Sequence, residues 1–256
     1  MIFSEIGLNI NIQKAIKDLG FIEPTPIQKE AIPYLINGDE DLIALAQTGT
    51  GKTAAFGLPI IEKIETDRKL PQTIILCPTR ELCLQVSNVF KPFSHNLKFS
   101  MYNMQQDHIE KQRVKRLDRG VNVLISTPGR LKQHLDSNTL HLSKLEFVVI
   151  DEADTTINDF RDVRNILRSL LSRRIVDGPK KPKKKRPDCQ FFLTSANSLK
   201  TTMISVMSTS VFGRLKSLAA ASYISSNDAL KTSSNRLSIW SRSLYSDFLN
   251  CSENCF

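Results

Sequence analysis

The sequence predicts an α/β fold in which a mostly parallel sheet is flanked by helices. Short runs rich in β-branched residues alternate with longer segments of helical periodicity, and several of these runs are apolar on both faces. Strands that bury both faces are typical of parallel sheets covered by helices. The runs that we interpret as strands are Asp41–Ala46, Thr73–Thr79, Val121–Thr127, Phe147–Asp151 and Gln190–Ser195.

Two helices are predicted before the first strand. Apolar residues at helical spacing mark the first of them: Leu8, Ile12, Ala15, Ile16 and Leu19. Gly20 follows directly and should end this helix. The second helix should begin with Thr25 as its N-cap and Pro26 at its first position, and it should end at Asn37-Gly38.

The composition favours a soluble intracellular protein. With 256 residues, 41% of them apolar, the chain can bury a substantial core. No apolar run approaches the roughly 20 residues that span a bilayer, and the N-terminus lacks the features of a signal peptide. Because the cysteines form no Cys-x-x-Cys pair, we expect free thiols in a reducing compartment. The five cysteines are Cys77, Cys83, Cys189, Cys251 and Cys255.

The positive charge is concentrated in one stretch. Between Arg161 and Arg186 there are eleven Lys or Arg and two acids, which accounts for the net charge of +9 of the whole chain. One interpretation is that this stretch binds a polyanionic partner. The other is a solvated helix face followed by a charged loop, which is the preferred interpretation when charge is the only observation.

Within that stretch, residues 179–187 should form an exposed loop because proline and charge exclude helix and strand. Its run Lys180–Arg186 is similar to nuclear-targeting patches, which makes the nucleus or nucleolus one expected location and the cytoplasm the other. The same run could add nonspecific RNA affinity or be a solvated loop. Further on, 11 of the last 40 residues are serine, so we expect a mobile or loosely helical tail over 213–256.

A phosphate-binding loop is predicted between the first strand and the helix after it. Its residues are Ala46, Gln47, Thr48, Gly49, Thr50, Gly51, Lys52 and Thr53. The glycines allow backbone N–H groups to turn toward phosphate oxygens, Lys52 supplies a positive charge, and Thr53 can bind Mg²⁺. Ala46 replaces the first glycine of the general pattern. An ordinary glycine-rich turn is the alternative, which the strand before it and the acidic strand end downstream disfavour.

The acidic partner of this loop is Asp151-Glu152-Ala153-Asp154, which directly follows an apolar strand. Asp151 is the expected Mg²⁺ ligand, and Glu152 is placed to orient or deprotonate the attacking water. Alternatively, these acids only cap the next helix, since Asp and Glu favour helix N-termini. The phosphate-binding loop upstream favours the catalytic interpretation.

The order of motifs from about Phe3 to Ala196 resembles that of DEAD-box ATP-dependent RNA helicases. The segment Gly20–Gln28 is similar to the Q motif of that family, with Phe3 as its isolated upstream aromatic residue. The resemblance implies that Gln28 recognises adenine, with Phe3, Phe21 and Thr25 in the same ATP site. Thr25 and Gln28 also form a capping-box pattern, and both roles can coexist.

Two further tracts resemble the family segments that grip the RNA backbone without reading sequence. They are Pro78-Thr79-Arg80 and Thr127-Pro128-Gly129-Arg130, each at the end of a predicted strand. Taken singly, either tract could be structural, with Arg80 paired to a carboxylate and Thr127 and Pro128 only starting a helix. Their order around the nucleotide motifs favours RNA contact.

Two departures from the family pattern bear on coupling and on RNA contact. Ser195-Ala196-Asn197 stands where the family has Ser-Ala-Thr, the motif that couples hydrolysis to strand separation and that is expected to bond Asp154. The larger Asn197 amide puts this coupling in question. The glycine pair expected near Tyr102 is missing, because residues 101–106 read Met-Tyr-Asn-Met-Gln-Gln.

The resemblance implies a RecA-like P-loop domain at 30–212 preceded by a Q motif region at 1–29, with ATP and Mg²⁺ as cofactors. Lys52, Asp151 and Glu152 would be catalytic. RNA is the implied partner, with a protein partner or a second RecA-like domain also possible and no membrane. No second RecA-like domain is expected in this chain, so turnover alone should be slow. The alternative is a non-catalytic nucleotide- or RNA-binding regulatory module.

Overall fold

The computed structural model describes residues 2–38, 42–105, 117, 119–159, 163, 166, 190–195 and 222–225. The strands are β1 (Leu42–Leu45), β2 (Thr73–Leu76), β3 (Met101–Asn103), β4 (Val123–Ser126), β5 (Phe147–Ile150), β6 (Gln190–Ser195) and β7 (Ser222–Ser225). They form one sheet in the order β3-β4-β2-β5-β6-β1-β7, and every neighbouring pair is parallel. The predicted parallel sheet is therefore confirmed, although most strands are shorter than expected.

The sequence analysis missed the two edge strands, β3 and β7. β3 has three residues and β7 has four, so neither is long enough to show an alternating pattern. Each is held by parallel pairing with a longer neighbour, β3 with β4 and β7 with β1. β7 lies inside the serine-rich tail. The rest of that tail, the loop 179–187 and the run Lys180–Arg186 lie outside the described residues.

The helices are α1 (Ile10–Asp18), α2 (Pro26–Asn37), α3 (Lys52–Lys63), α4 (Arg80–Leu97), α5 (Pro128–Asp136) and α6 (Ala153–Asp159), with a 3₁₀ turn at Phe3–Glu5. The predicted ends of α1 and α2 are confirmed. Gly20 has a φ of +79°, and the N–H of Phe21 returns to the Ile16 carbonyl, which closes the C-terminus of α1. Leu19 was expected on the buried face but is 39% exposed, since the helix has already ended there.

Apolar residues cover both faces of the sheet. In β2, the side chains of Ile74 and Leu76 belong to the hydrophobic cluster on one face, and Ile75 belongs to the cluster on the other. Val148 and Val149 of β5 alternate in the same way, and all five residues are fully buried. This two-sided burial explains why the strands read as continuous apolar runs.

Because the sheet is parallel, the carboxyl ends of its strands lie at one edge. The segments singled out by sequence follow β1, β2, β4, β5 and β6, so the fold gathers them at this edge. Ligands of open α/β sheets bind at the carboxyl ends of the strands. In the described part of the chain, no helix is both long and apolar enough to cross a membrane. Cys77 and Cys83, the cysteines that the structure describes, are free thiols as predicted.

Candidate active site

The loop between β1 and α3 depends on two glycines in the left-handed region. Gly49 has a φ of +81°, and Gly51, the N-cap of α3, has a φ of +87°. A Cβ at Gly51 would clash with Nε2 of Gln28, so a side chain there would displace the Gln28 amide, and the positive φ disfavours any residue but glycine. The Thr50 hydroxyl donates to the Gln47 carbonyl at 2.7 Å and tightens the turn. The loop therefore opens directly onto the N-terminus of α3, where backbone N–H groups can face an anion.

Lys52 is the side chain that best indicates what this loop holds. The residue is only 8% exposed, and its Nζ has no hydrogen-bond partner among the described residues. Burying an ammonium group without a partner is costly, so this position is suited to an anionic ligand. Thr53 follows in the first turn of α3 and is half-buried. The loop residues thus fit the phosphates of a nucleotide.

Gln28 connects the segment before β1 to this loop. Its Oε1 accepts from the Thr25 N–H at 3.0 Å, as the capping-box interpretation predicted, and its Nε2 donates to the Gly51 carbonyl at 3.0 Å. Both ends of the amide are therefore engaged. Phe3 is buried in the hydrophobic core, whereas Phe21 is 59% exposed and leaves aromatic surface available. Recognition of adenine by Gln28 stays a prediction.

The two acids after β5 are held by hydrogen bonds from a neighbouring strand. Asp151 is buried, and its Oδ1 accepts from the Thr194 hydroxyl and from the Glu152 N–H, the latter at 3.1 Å. The same Glu152 N–H lies 3.3 Å from Thr194 Oγ1. Thr156 donates to the Asp151 carbonyl through its hydroxyl and to the Glu152 carbonyl through its N–H, both at 2.8 Å. The backbone of both acids and the side chain of Asp151 are thus fixed.

Glu152 adopts a left-handed conformation with a φ of +46°, which is uncommon for a residue with a side chain. Burial raises the pKa of its carboxyl, Asp151 and Asp154 raise it further, and Lys52 partly offsets this increase. A carboxylate with a raised pKa is better able to accept a proton from water. The charges of Lys52, Asp151 and Asp154 are thus near enough to Glu152 to influence its carboxyl.

Thr194 is a candidate site residue that the sequence analysis missed. Its neighbours in the sequence carry no signal for it, because its role comes from the pairing of β6 with β5. The register places Leu193 beside Ile150, so Thr194 comes level with Asp151. Thr194 can be identified as a site residue only from the register of β6 against β5, which the sequence does not reveal.

Replacing Thr194 with valine is expected to weaken Mg²⁺-dependent nucleotide binding by about tenfold, since Asp151 and Glu152 lose a shared hydrogen-bond partner in a buried setting. Thr194→Ser keeps the hydroxyl and should bind like the wild type. Titration of a fluorescent ATP analogue at several Mg²⁺ concentrations measures both. Equal binding by the valine and serine variants would contradict a positioning role.

The two tracts proposed for RNA lie at the same edge of the sheet. Thr79 and Arg80 are exposed, and Arg80 has no ion-pair partner within the described residues. The alternative in which Arg80 only pairs with a carboxylate therefore gains no support. In the second tract, no neighbouring group lies within 4 Å of the place where a Gly129 Cβ would be, so the start of α5 is accessible to a ligand. Arg130 is half-buried and donates to Oε1 of Gln133 at 2.9 Å. Pro78 and Pro128 are buried and shape the two turns.

The end of β6 contacts the phosphate-binding loop. Ser195 is fully buried, and its carbonyl accepts from the Ala46 N–H at 3.1 Å. Asp154 is also buried, in the first turn of α6. The expected bond between Ser195 and Asp154 stays a prediction, and Ala196 and Asn197 lie outside the described residues. A backbone hydrogen bond therefore joins Ser195, the first residue of the Ser195-Ala196-Asn197 segment, to the phosphate-binding loop.

The described residues form no group of three or more His, Cys, Asp or Glu that could hold a metal ion by themselves. This agrees with the chemistry of Mg²⁺, which is commonly held by one or two protein ligands together with substrate phosphates and water. The Thr53 hydroxyl and the Asp151 carboxylate are hard oxygen donors of the kind that Mg²⁺ prefers. The donor set fits a magnesium–nucleotide complex.

Comparison with known proteins shows consistent similarity. The family model of the DEAD/DEAH box helicase matches residues 25–202. ATP-dependent RNA helicase DeaD from Buchnera aphidicola is 42% identical over 179 residues, covering 68% of this chain and 29% of the relative. DeaD from Escherichia coli K12 is 40% identical over 174 residues, covering 66% of this chain and 27% of the relative. The chain thus spans less than a third of the length of these curated relatives.

Solved structures agree with the fold. A DEAD box protein from the hyperthermophile Methanococcus jannaschii has a TM-score of 0.72 at 30% identity, over 89% of this chain and 56% of that protein. Saccharomyces cerevisiae Dbp5 bound to Gle1 has a TM-score of 0.68 at 27% identity, over 89% of this chain and 52% of that protein. The RecA-like fold expected from the motifs is confirmed by these neighbours.

Proposed function

This chain belongs to the DEAD/DEAH box helicase family, and from that premise we propose that it is the ATP-binding half of an ATP-dependent RNA helicase. In this proposal it binds ATP with Mg²⁺ and couples ATP hydrolysis to RNA binding and unwinding. The observation that carries the proposal is the buried Lys52 ammonium, which has no hydrogen-bond partner among the described residues and whose charge partly offsets the raised pKa of Glu152. Residues 30–212 would form the RecA-like domain, with 1–29 as the Q motif region and 213–256 as a tail that adds the edge strand β7 to the sheet.

The ATP site combines three segments. The loop from Ala46 to Thr53 would hold the phosphates through its backbone N–H groups and Lys52, and Gln28 with Phe21 would receive the base. Phe3 is buried and would act indirectly, by packing in the core beneath the Q motif region. The Thr25 N–H donates to Oε1 of Gln28 and fixes its amide. Thr53 and Asp151 would hold Mg²⁺, which neutralises charge on the phosphates when bound.

Glu152 would be the group that orients and deprotonates the attacking water. Its raised pKa supports the role of proton acceptor, and its backbone is held on both sides by Thr194, Thr156 and Asp151. A base fixed in this way need not reorganise during the reaction, which is a main source of catalytic power in enclosed sites. Lys52 would stabilise charge on the phosphates in the same step.

RNA would bind across the exposed and half-buried residues of the two tracts, Thr79 with Arg80 and Thr127 with Gly129 and Arg130. These groups suit phosphate oxygens, so we propose binding without base specificity. Asp154 and Ser195, followed by Ala196 and Asn197, would link this surface to the ATP site. The contact from the Ala46 N–H to the Ser195 carbonyl supports such a link.

We further propose that the 256-residue chain turns over ATP slowly when it acts alone. An arginine supplied to the γ-phosphate by another domain or protein raises phosphoryl transfer by about 10³–10⁵ in comparable enzymes. A second RecA-like domain or a protein partner could supply it here. The structural neighbour Dbp5, solved in complex with Gle1, gives precedent for a protein partner.

A binding experiment on the full chain tests this proposal. We expect magnesium–ATP to bind, and a labelled single-stranded RNA to bind equally well in two unrelated sequences, with affinity that falls as salt rises. Arg80→Ala should weaken RNA binding in both sequences alike. Absence of ATP binding would contradict the nucleotide site, and RNA-stimulated turnover above about 1 s⁻¹ would contradict slow turnover by the chain alone.

A further inference from the structure

We propose that Gln105 is a positioning residue for RNA binding, which acts by setting the direction of the Thr127 hydroxyl. The proposal rests on the proposed RNA site, because Thr127 lies in one of its two tracts. Gln105 itself belongs to neither tract. It lies in the segment after β3 where the family resemblance led us to expect a pair of glycines.

That segment is built into the core rather than left as an open turn. Met104 is fully buried in the hydrophobic cluster on one face of the sheet. Asn103 is 2% exposed, and its Nδ2 donates to the Ser87 hydroxyl of α4 at 2.9 Å. The Ser87 hydroxyl in turn donates to the Cys83 carbonyl at 2.7 Å. The segment is therefore anchored to α4, the helix that begins with the first RNA tract.

Gln105 follows directly and is fixed at both ends. Its N–H donates to Oδ1 of Asn103 at 3.0 Å, and its side-chain Nε2 donates to the Thr127 hydroxyl oxygen at 3.1 Å. The two RNA tracts are thereby joined by a chain of hydrogen bonds that runs from α4 through Asn103 and Gln105 to the start of α5. Flexible glycines could not form this chain, because they carry no side chains.

The contact changes what the Thr127 hydroxyl does. Thr127 is the N-cap residue of α5, yet its side chain makes no hydrogen bond to the backbone of that helix. By contrast, Thr79 at the start of α4 accepts from the Leu82 N–H at 3.2 Å. An N-cap threonine ordinarily bonds a backbone N–H of the first turn. The Gln105 amide holds Thr127 in another orientation.

This orientation suits a phosphate. Because the Thr127 oxygen accepts from Gln105, its proton must point away from that amide, and no described residue accepts it. Phosphate oxygens are acceptors only, so a hydroxyl prepared as a donor is complementary to them. Without Gln105, the Thr127 hydroxyl would be free to rotate, and its proton would no longer have a set direction.

The test measures RNA affinity of the full chain by fluorescence anisotropy with a labelled oligouridylate of about ten nucleotides. Gln105→Leu and Thr127→Val should each weaken binding about three- to tenfold, the range of one neutral hydrogen bond. The double variant should be no weaker than Thr127→Val alone, because Gln105 acts through Thr127. Gln105→Glu, which preserves shape but cannot donate, should weaken binding at least as much as Gln105→Leu.

The salt dependence separates positioning from direct charge contact. Gln105→Leu should leave the slope of log affinity against log salt unchanged, whereas Arg80→Ala should reduce its magnitude by about one. Wild-type affinity in Gln105→Leu, or fully additive losses in the double variant, would overturn the inference. If Thr127→Val and Arg80→Ala both bind like the wild type, the proposed RNA site itself is wrong.

Discussion

Replacing Lys52 with methionine is expected to reduce the affinity for magnesium–ATP by at least about 100-fold. The Lys52 Nζ is buried and has no hydrogen-bond partner among the described residues, so a phosphate would be its first strong partner. Hydrogen bonds that involve a charged group contribute about 1.5–3 kcal/mol each, and an ammonium can make several of them. Methionine keeps the length and apolar stem of lysine, so the loss should come from charge and not from packing.

Titration of a fluorescent ATP analogue measures this loss, and the melting temperature shows whether the variant is folded. The melting temperature should not fall, because no hydrogen bond is lost when Nζ is removed and the cost of burying an unpartnered ammonium is relieved. Lys14→Met is a matched control, since Lys14 is exposed on α1 and none of the proposed ATP-site residues lies on that helix. Binding by Lys52→Met within twofold of the wild type would show that the phosphates lie elsewhere.

The sequence predicted the elements whose signals are local. Gly20 ends α1, and Pro26 and Gly38 delimit α2, because caps and turn residues act within a few positions. β3 and β7 could not be found in this way. Their few residues, such as Met101–Asn103, acquire strand geometry only by pairing with a neighbour that is distant in the sequence.

The candidate site divides in the same manner. Gly49, Gly51 and Lys52 were predicted because a phosphate-binding loop is a contiguous motif, and the structure explains both glycines through their positive φ. Thr194 and Gln105 were missed because each acts on a residue more than 20 positions away. Such contacts depend on strand register and on how helices dock, neither of which a single sequence specifies.

Gln28 shows that one residue can satisfy a local and a distant requirement together. The capping box was readable from Thr25 and Gln28 alone, whereas the bond from Gln28 to the Gly51 carbonyl was not. Because of this bond, the segment before β1 and the phosphate-binding loop cannot move independently. A ligand that binds one of these segments should therefore also affect the position of the other. The capping-box pattern alone does not reveal this coupling.

Replacing Glu152 with glutamine is expected to preserve ATP binding and to slow hydrolysis by about 100-fold or more, the usual contribution of a positioned general base. Glutamine has the same shape and keeps the backbone bonds to Asp151, Thr194 and Thr156, but it cannot accept a proton from water. Single-turnover hydrolysis of radiolabelled ATP by excess protein, with and without RNA, measures the effect. Equal rates for the two proteins would favour a non-catalytic nucleotide- or RNA-binding module.

The same substitution should alter stability in a pH-dependent manner. Burial and the neighbouring Asp151 raise the pKa of Glu152 above its ordinary value of 4.5, so the ionised carboxylate destabilises the folded state at neutral pH. Glu152→Gln should therefore melt about 1–2 °C higher than the wild type at pH 8, a small effect because solvent screens the group. As pH falls through the raised pKa toward 4.5, Glu152 becomes protonated and the difference should vanish.

Glu30→Gln is the matched control, because Glu30 is exposed on α2 and is not one of the proposed site residues. A Glu152→Gln variant that is less stable than the wild type at pH 8 would mean that the ionised carboxylate stabilises the fold. Loss of hydrolysis could then reflect structural damage. If the ionised Glu152 carboxylate destabilises the fold but serves catalysis, Glu152→Gln should retain ATP affinity, melt at a higher temperature and hydrolyse ATP more slowly.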